Sequence, residues 1–503
     1  MARGRTTASG SSRKQRIGVV DIGSNSIRLV VFDRLCRAPL PVFNEKILCG
    51  LGRGLGESGR LNEEGAVSAL ENLARFSALA RAMGVGHLGV LATAAVRDAK
   101  NGPEFIAQVR ARSGLRPRIL SGGEEARMSA SGVIAGMPRA HGAMGDLGGG
   151  SLELVRLDKG RFGAHTMLPF GPLRLREHLE RRGRGYVREM LDDALGELGW
   201  LGAAKGRAFY AVGGAWRSIA RLHMDHVGYP LRVIQGYALS FDAAQEFLDL
   251  VSGLGRESLQ RIGRVPRKRL EGLPLAALVL SRVLRRMRPA ELVFSAFGLR
   301  EGYVYQQLPP ARRREDPLLA ACADAAARNP RFDLDGETLA RWIAPLFPKS
   351  PPEVARLRLA ACQLFDIAWT EHPDYRADIA FRRVLYMPLS DIDHAGRAFL
   401  AMALYTRYDG QEGSELLKPV WRLLNERKVA EAWRLGLALR LALSLSAGAK
   451  DILRRVELAV DGGKLRLKLP GSLEAFAGEQ VQRRLGALAD ALDKKAVIQV
   501  GKR

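Results

Sequence analysis

The chain has 503 residues, of which 47% are hydrophobic and 26% charged, the composition of a folded protein with several packed cores. Its net charge of +25 favours polyanionic partners, whether nucleic acids, highly phosphorylated small molecules or an anionic membrane. No apolar run approaches the roughly 20 residues of a membrane span, and four scattered cysteines indicate neither a disulfide framework nor a zinc site.

The first 16 residues are basic and rich in Ser, Gly and Thr, and no apolar segment that could complete a signal peptide follows them. We expect residues 1–16 to form a disordered tail on a cytoplasmic protein. Peripheral association with a membrane is the alternative location.

An internal repeat is the strongest sign of organisation. Residues 21–33 (DIGSNSIRLVVFD) align with residues 146–158 (DLGGGSLELVRLD). Each copy is an apolar run, a Gly/Ser turn opened by aspartate, and a second apolar run, which predicts a strand, a tight turn and a strand. Two matching copies predict two similar α/β domains that face each other across a cleft, with one turn on each side.

The two turns also have the composition of phosphate-binding loops. Their backbone N–H groups point outward, and no bulky side chain prevents a close approach by phosphate. The aspartates that open them, Asp21 and Asp146, are ligands suited to Mg²⁺. Two β-hairpins with glycine-rich turns and no ligand are the alternative.

Between the repeats, apolar spacing predicts a helix over 62–83, strands over 87–92 and 116–120, and a helix over 124–135. Ser121 and Glu124 have the spacing of a capping box, which gives Glu124 a structural role. Glu125 has no such role. A carboxylate in a first helical turn can accept a proton from water, although an acidic first turn without function is equally compatible with the sequence.

Beyond residue 308 the residue composition and the pattern of predicted elements change. Pro309, Pro310 and an arginine run predict a linker, followed by a mainly helical domain over 309–450. A hairpin over 456–469 and a helix over 479–492 predict a small α+β module at 451–503. Arginines cluster at 174–188, 256–269, 282–288 and 312–314, where we expect either a basic track for a polyanion or a compositional bias.

Five motifs occur in order: DIGSNS (21–26), TAAVRD (93–98), SGGEEAR (121–127), DLGGGSLELV (146–155) and VGGAW (212–216). In order and spacing they resemble the exopolyphosphatase and guanosine-pentaphosphate phosphohydrolase family. The resemblance runs from about residue 17 to 305, includes LREG at 299–302, and covers roughly 60% of the chain. It implies two duplicated actin-like ATPase (ribonuclease H-like) domains, 17–135 and 136–308, and an HD-like domain in the helical region.

The resemblance also implies roles for individual residues. Glu125 matches the base that activates water, and Arg97 an arginine that contacts the terminal phosphate, although a surface ion pair would also explain Arg97. Asp21, Asp146 and Glu153 match acidic positions for the metal and, for Glu153, the water. The metal implied is Mg²⁺, with Mn²⁺ as an alternative and K⁺ as a further ion. The phosphate-binding positions implied are Ser24, Asn25, Ser26, Gly148, Gly149, Gly150, Ser151, Gly213 and Gly214.

The sequence departs from the family pattern at two places. Ala215 stands where the family commonly has threonine, so one hydroxyl contact, either to substrate or to the neighbouring loop, is expected to be missing. No His-Asp dipeptide occurs in the chain, and Phe365-Asp366 stands where one would be expected, with His372 and Asp391 nearby. We therefore expect the HD-like domain to be catalytically inactive.

Together these observations predict an exopolyphosphatase that hydrolyses terminal phosphates by metal-assisted, in-line attack of water with a glutamate base. The alternatives are a guanosine pentaphosphate phosphohydrolase, an actin-like sugar or acetate kinase, and a non-catalytic polyanion-binding protein. The expected partners are inorganic polyphosphate or a guanosine pentaphosphate-type nucleotide, with no membrane and no specific nucleic acid. A homodimer is expected.

Overall fold

The structure is a computed structural model that describes residues 15–255, 258 and 272–501. The chain divides into two compact units. The first comprises the described residues of Met1–Val227 and Tyr237–Glu315, and the second comprises Gly228–Gly236 and the described residues of Asp316–Arg503. Residues 1–14 of the predicted tail, and the arginine cluster at 256–269 apart from position 258, lie outside the described residues.

The first unit begins with a sheet ordered β3-β2-β1-β4-β5. Its strands are β1 (Arg16–Ile22), β2 (Ser26–Phe32), β3 (Pro41–Leu48), β4 (Val85–Ala92) and β5 (Arg118–Ile119). The accompanying helices are α1 (Leu55–Ser58), α2 (Glu63–Ala82), α3 (Ala94–Asp98), α4 (Gly102–Ser113) and α5 (Gly122–Gly136). Strand β1 is antiparallel to β2 and parallel to β4. Its near-continuous apolar run fits a central strand covered on both faces.

A second sheet follows, ordered β10-β11-β9-β6-β7-β8. Its strands are β6 (Gly142–Leu147), β7 (Leu152–Asp158), β8 (Arg161–Leu168), β9 (Ala208–Val212), β10 (Tyr237–Ser240) and β11 (Glu291–Phe294). The helices of this part are α6 (Pro172–Gly196), α7 (Gly199–Gly202), α8 (Gly214–His226), α9 (Phe241–Gly253), α10 (Leu273–Met287), α11 (Leu299–Gln307) and α12 (Pro310–Arg313).

The predicted duplication is confirmed by the two sheets. The order β8-β7-β6-β9-β11 repeats β3-β2-β1-β4-β5, and both copies open with an antiparallel pair followed by a parallel neighbour. Asp21 lies opposite Arg28 in the first copy, and Asp146 lies opposite Glu153 in the second. The two aligned segments of sequence therefore occupy equivalent places in two equivalent sheets.

Most of the elements predicted between the repeats are present. Helix α2 begins after Asn62, whose side chain accepts a hydrogen bond from the Gly65 amide. The capping box of α5 is confirmed, because Ser121 and Glu124 bond each other's backbone N–H groups. The strand predicted over 116–120 is shorter, at two residues.

The second unit is helical and ends in a three-stranded sheet. Its helices are α13 (Pro317–Ala327), α14 (Gly336–Ile343), α15 (Pro352–Gln363), α16 (Arg376–Tyr386), α17 (His394–Arg407), α18 (Lys418–Leu423), α19 (Glu426–Ser446), α20 (Lys450–Arg455) and α21 (Glu479–Ala491). Its 3₁₀ helices are Ala344–Leu346, Pro373–Tyr375, Glu415–Leu417 and Gly471–Phe476. The strands β12 (Glu457–Asp461) and β13 (Lys464–Leu469) confirm the predicted hairpin, and β14 (Lys495–Val500) pairs parallel to β13. One hydrophobic core runs through the segments predicted as separate domains, and the predicted domain boundaries stay predictions.

Two further properties concern the described residues as a whole. None of their helices combines the length and the apolar character that a membrane crossing requires. None of the four cysteines, all of which are described, forms a disulfide; Cys322 and Cys362 are buried, whereas Cys36 and Cys49 are only half-buried.

The arginines of α10 are used inside the first unit. Arg282 forms a two-point ion pair with Asp192, at 2.5 and 2.6 Å, and Arg285 bonds Asp249 over 2.5 Å. Arg286 donates to two backbone carbonyl oxygens at the end of α6. This part of the expected basic track therefore ties α6, α9 and α10 together.

Helices α5 and α11 cross with their backbones in contact. A Cβ atom at Gly302 would overlap the carbonyl oxygen of Met128 and lie 2.8 Å from the amide nitrogen of Gly132. A Cβ atom at Gly132 would likewise overlap the backbone of Gly298. Only glycine permits this approach, which fixes the spacing between the middle of α5 and the first turn of α11.

We expect Gly302→Ala to destabilise the protein by roughly 1–3 kcal/mol, because the helices must separate to admit a methyl group. Thermal unfolding of the variant measures the loss. Gly185→Ala is the matched control, because Gly185 is exposed in α6 and its Cβ would meet no atom within 4 Å. That change should be neutral or stabilise by up to about 1 kcal/mol. Equal melting temperatures for the two variants would show that the crossing tolerates a side chain.

Candidate active site

Two turns with the same internal hydrogen bond form one side of a cleft in the first unit. Between β1 and β2, the Gly23 amide donates to the Ser26 carbonyl oxygen over 3.0 Å. Between β6 and β7, the Gly148 amide donates to the Ser151 carbonyl oxygen, also over 3.0 Å. The turns are therefore structural equivalents, as the repeated sequence predicts.

The two turns touch each other. A Cβ atom on Gly149 would lie 3.2 Å from Ser24 Cβ, and one on Gly150 would lie 3.1 Å from Ser24 Oγ. A larger residue at either glycine would push the turns apart. The cleft they border has a volume of about 590 Å³. The predicted phosphate-binding residues that line it are Ser24, Asn25, Ser26, Gly148, Gly149, Ser151, Gly213 and Gly214, whereas Gly150 packs between the turns.

Four carboxyl groups meet in this cleft. Asp146 and Glu153 are directly opposed in β6 and β7, so their side chains project from the same face of the sheet. Asp21 comes from β1, and Glu125 from the first turn of α5. All four line the cleft, and Glu125 is only 8% exposed. The structure thus brings together every acidic residue predicted for the site.

Burial makes these carboxyl groups weaker acids than usual. It raises the pKa of Glu125 to about 7, with the charges of Asp146 and Asp21 adding to the rise and the hydrogen bond from Arg97 opposing it. Burial also raises the pKa of Glu153 well above its ordinary value, and the charges of Glu125 and Asp146 raise it further. When no metal ion is bound, the site therefore favours the protonated forms of these carboxyl groups.

Glu124, the neighbour of Glu125, behaves in the opposite way. Hydrogen bonds from Ser121 and Arg118 lower the pKa of Glu124 to about 2. Its carboxylate is exposed and occupied by the helix cap. The two adjacent glutamates thus lie in different environments, and of the two it is Glu125 that lines the cleft.

Arg97 is bound directly to Glu125. Its Nη1 donates to Glu125 Oε2 over 2.9 Å and to the Leu120 carbonyl oxygen over 3.1 Å. Its Nε donates to Asp98 over 3.1 Å, and Asp98 accepts a second bond from Arg174 over 2.5 Å. The Nη2 group of Arg97 is buried and has no hydrogen-bond partner among the described atoms. Arg97 therefore fixes the orientation of Glu125, and its Nη2 group remains available to donate hydrogen bonds to a ligand.

Of the five described arginines that line the cleft, three lower the pKa values of the aspartates that open the turns: Arg28, Arg217 and Arg300. The sequence alone did not assign these three to the site. Arg300 Nη1 lies 3.3 Å from Asp21 Oδ2. Burial and the charges of the other two arginines lower the pKa of Arg28 to about 10. The position of Arg28 opposite Asp21 follows from strand alternation, which is a signal that could have found it.

A third glycine turn adjoins the second one. A Cβ atom at Gly213, where φ is 110°, would lie 3.1 Å from the Leu147 amide nitrogen and 3.2 Å from Asp146 Oδ1. Helix α8 begins directly after it, so its first N–H groups open onto the cleft. Ala215 lines the cleft at the position of the missing threonine.

The oxygen atoms of the site fit a hard divalent cation. Asp21, Asp146 and Glu153 offer only carboxylate oxygens, which are the ligands that Mg²⁺ takes in proteins. Glu153 Oε1 is buried and has no hydrogen-bond partner among the described residues. Ser129 Oγ already donates to Asp146 Oδ2 over 2.6 Å and orients that carboxylate. Within the described ranges, no preformed group of three or more His, Cys, Asp or Glu side chains has metal-binding geometry.

In the second unit, Asp366 is held by arginines. Arg331 donates to it through Nε and Nη2 over 2.9 and 3.0 Å, and Arg407 donates over 3.1 Å. Asp391 is bound to Arg356 over 2.8 Å. The resemblance to an HD domain stays a prediction, but both aspartates have structural partners of the kind expected in an inactive domain.

Comparisons with known proteins identify relatives of both halves of the chain. Residues 30–311 match the model of the Ppx/GppA phosphatase family, and residues 333–498 match that of the exopolyphosphatase C-terminal domain. Retrograde regulation protein 2 of Saccharomyces cerevisiae is 27% identical over 469 residues, which cover 83% of this chain and 77% of that protein. Exopolyphosphatase 1 of Mycobacterium leprae is 27% identical over 304 residues, which cover 58% of this chain and 89% of that protein.

A solved structure shares the fold of the first unit. The crystal structure of an exopolyphosphatase from Cytophaga hutchinsonii matches with a TM-score of 0.52 at 24% identity, over 58% of this chain and 97% of that chain. The fold of mixed sheets and helices is therefore the actin-like one that the family resemblance implied.

The electrostatics of the site lead to a prediction about stability. Because the pKa of Glu153 is higher in the folded than in the unfolded protein, ionising it costs folding free energy once the pH exceeds the unfolded value. In the absence of divalent ions, Glu153→Gln should therefore raise the melting temperature at pH 8 by roughly 2–4 °C, and the gain should shrink toward pH 4–5.

Melting curves across this pH range, without and with Mg²⁺, make the measurement. Glu104→Gln serves as the control, because Glu104 is exposed on α4. A Glu153→Gln variant that melts lower than the parent at pH 8, by the same amount as at pH 5, would mean that the Glu153 carboxylate is not strained by burial.

Proposed function

The chain belongs to the Ppx/GppA phosphatase family, and we propose that it is an exopolyphosphatase, which removes terminal phosphates from inorganic polyphosphate. One observation carries the proposal. Glu125, a buried carboxyl group with a pKa of about 7, is held by Arg97 at the edge of a cleft that two glycine turns border. A group that ionises near neutral pH is suited to take a proton from an attacking water.

The proposed reaction is in-line attack by water on the terminal phosphoryl group. The backbone N–H groups of the two turns hold the phosphate, and Glu125 orients the water and accepts its proton. Arg97 offsets the charge that develops on the phosphoryl oxygens. Phosphoryl transfer of this kind needs accurate positioning and charge stabilisation.

Mg²⁺ held by Asp21, Asp146 and Glu153 would supply positive charge against the phosphate oxygens, with its remaining ligands taken from water and substrate. The raised pKa values of the three carboxylates make occupancy pH-dependent, because the ligands must lose protons to bind.

The composition of the cleft favours an inorganic chain over a nucleotide. Among the described residues that line it, none is aromatic, so no ring is available to stack on a guanine base. Its cationic lining residues are Arg28, Lys46, Arg53, Arg176, Arg217 and Arg300. Guanidinium groups can donate two hydrogen bonds to the oxygens of one phosphate, and this recognition does not require a nucleobase in the ligand. Assembly as a homodimer and a cytoplasmic location remain predictions.

The substrate is tested by phosphate release in the presence of Mg²⁺, with long-chain polyphosphate and guanosine pentaphosphate compared side by side. We expect faster release from polyphosphate, and Glu125→Gln should reduce it by at least about 10²-fold, the lower end of what a positioned base contributes. Glu124→Gln is the matched control and should retain most activity. Preference for the nucleotide would move the function to the alternative substrate. If phosphate is released from neither substrate, the result would favour a kinase or a non-catalytic binding protein.

The pH dependence tests the base separately. Because Glu125 must be ionised to accept a proton, kcat on polyphosphate should fall about tenfold per pH unit below its pKa of about 7. The hydrogen bond from Arg97 stabilises the carboxylate, so Arg97→Gln should move this acidic limb to higher pH. Arg118→Gln is the control, since Arg118 bonds Glu124 instead. An acidic limb that stays in place in the Arg97 variant would separate Arg97 from the ionisation of the base.

A further inference from the structure

Arg217 lies in the first turn of α8, and its side chain lines the cleft. The residue before it, Trp216, points the other way: it is fully buried, and its Nε1 donates to the Ala276 carbonyl oxygen over 3.0 Å. Helical geometry therefore places Trp216 in the core and directs Arg217 to the cleft. Ala215, which stands in place of threonine, lines the same cleft two positions earlier.

The backbone fixes the position of Arg217. Its Nη1 donates to the Ala296 carbonyl oxygen over 2.8 Å, in the segment between β11 and α11. That contact uses one of the five N–H donors of the guanidinium group. Burial, together with the nearby charge of Arg300, lowers the pKa of Arg217 to about 10, so the group remains charged at neutral pH.

Arg217 and Arg300 lie close to the two aspartates that open the turns. Arg300 pairs with Asp21, which opens the first turn. Burial raises the pKa of Asp146, which opens the second turn, and the Ser129 hydrogen bond and the charge of Arg217 oppose that rise. Each aspartate thus has one cation close to it.

The arginines also repel each other, and the nearby acidic groups Glu301, Asp21 and Asp146 oppose the resulting fall in the pKa values of Arg28 and Arg217. Burial is the main cause that lowers the pKa of Arg28, and the charges of Arg300 and Arg217 lower it further. Like charges are held together in a folded protein when a ligand of opposite sign repays the cost. An anionic chain entering the cleft would meet these guanidinium groups at its side.

We propose that Arg217 is a substrate-binding residue, whose guanidinium group bonds a non-bridging oxygen of the phosphate chain and replaces the hydroxyl contact that Ala215 cannot make. The inference rests on the proposed function and adds a specificity residue to it. A charged donor binds a phosphate oxygen more strongly than a hydroxyl group does. The exchange therefore favours substrates with high negative charge along the chain.

The test separates binding from turnover by measuring polyphosphate affinity in a Glu125→Gln background, in which the chain is not consumed. Adding Arg217→Ala should weaken the Kd roughly 10–100-fold, as expected for loss of a hydrogen bond to a charged group. The salt dependence of binding should become shallower, because one cation fewer neutralises the chain. In the active enzyme, KM should rise more than kcat falls.

Rescue distinguishes a substrate contact from a structural role. Ala215→Thr, added to Arg217→Ala, should recover part of the lost affinity, and Arg217→Lys should keep more of it than Arg217→Ala. Arg221→Ala is the matched control, because Arg221 is exposed one turn later on the same helix. It should leave the Kd within about twofold of the parent, since it removes no contact in the cleft.

Each outcome has a defined meaning. If Glu125→Gln alone does not bind polyphosphate, the proposed function fails. If it binds and Arg217→Ala binds equally well, only the role of Arg217 is overturned. A weaker Kd accompanied by a lower melting temperature, with no recovery from Ala215→Thr or Arg217→Lys, would also overturn it, because Arg217 would then act by holding the Ala296 segment.

Discussion

Mutual repulsion among buried carboxyl groups is the constraint around which the first unit is built. Burial raises the pKa values of Glu125, Asp146 and Glu153, and the charges of neighbouring carboxylates in the same cleft raise them further. Such a cluster costs folding free energy unless cations or protons neutralise it. The rest of the unit must therefore hold these side chains where a folded chain would not otherwise place them, which is the usual conflict between stability and a functional site.

The backbone resolves this conflict through close contacts made by glycine. Gly302 and Gly132 let α5 and α11 cross in contact, and these two helices carry Glu125 and Arg300. Gly149 allows the second turn to reach Ser24 in the first. In each case the positions of charged groups are set by main-chain packing, which is stiffer than a surface ion pair. The glycines thus position the charges without carrying any chemistry themselves.

The sequence predicted those features that depend on local pattern. The repeat predicted both turns and the duplicated sheets, and the capping box correctly separated Glu124 from Glu125. It did not predict Arg217 as a cleft residue, because that depends on how α8 packs against the core. The arginines of α10 suggested a surface track, yet Arg282 and Arg285 pair with acids far away in the chain. Segment Gly228–Gly236 belongs to the second unit through tertiary packing alone.

The cleft does not share the large positive net charge of the whole chain. The chain carries +25, which attracts polyanions over long distances. The described lining of the cleft, however, has seven acidic side chains against six basic ones. A polyanion drawn in by the overall field therefore meets a site that is locally balanced, and at short range the local groups decide the outcome because the Debye length is about 8 Å at physiological salt. In the proposed reaction, the carboxylates face the phosphate chain most favourably when protonated or bound to a metal ion, while Glu125 must be ionised to accept a proton. The proposal thus couples substrate binding, occupancy by a metal ion and ionisation of Glu125 through one set of buried charges.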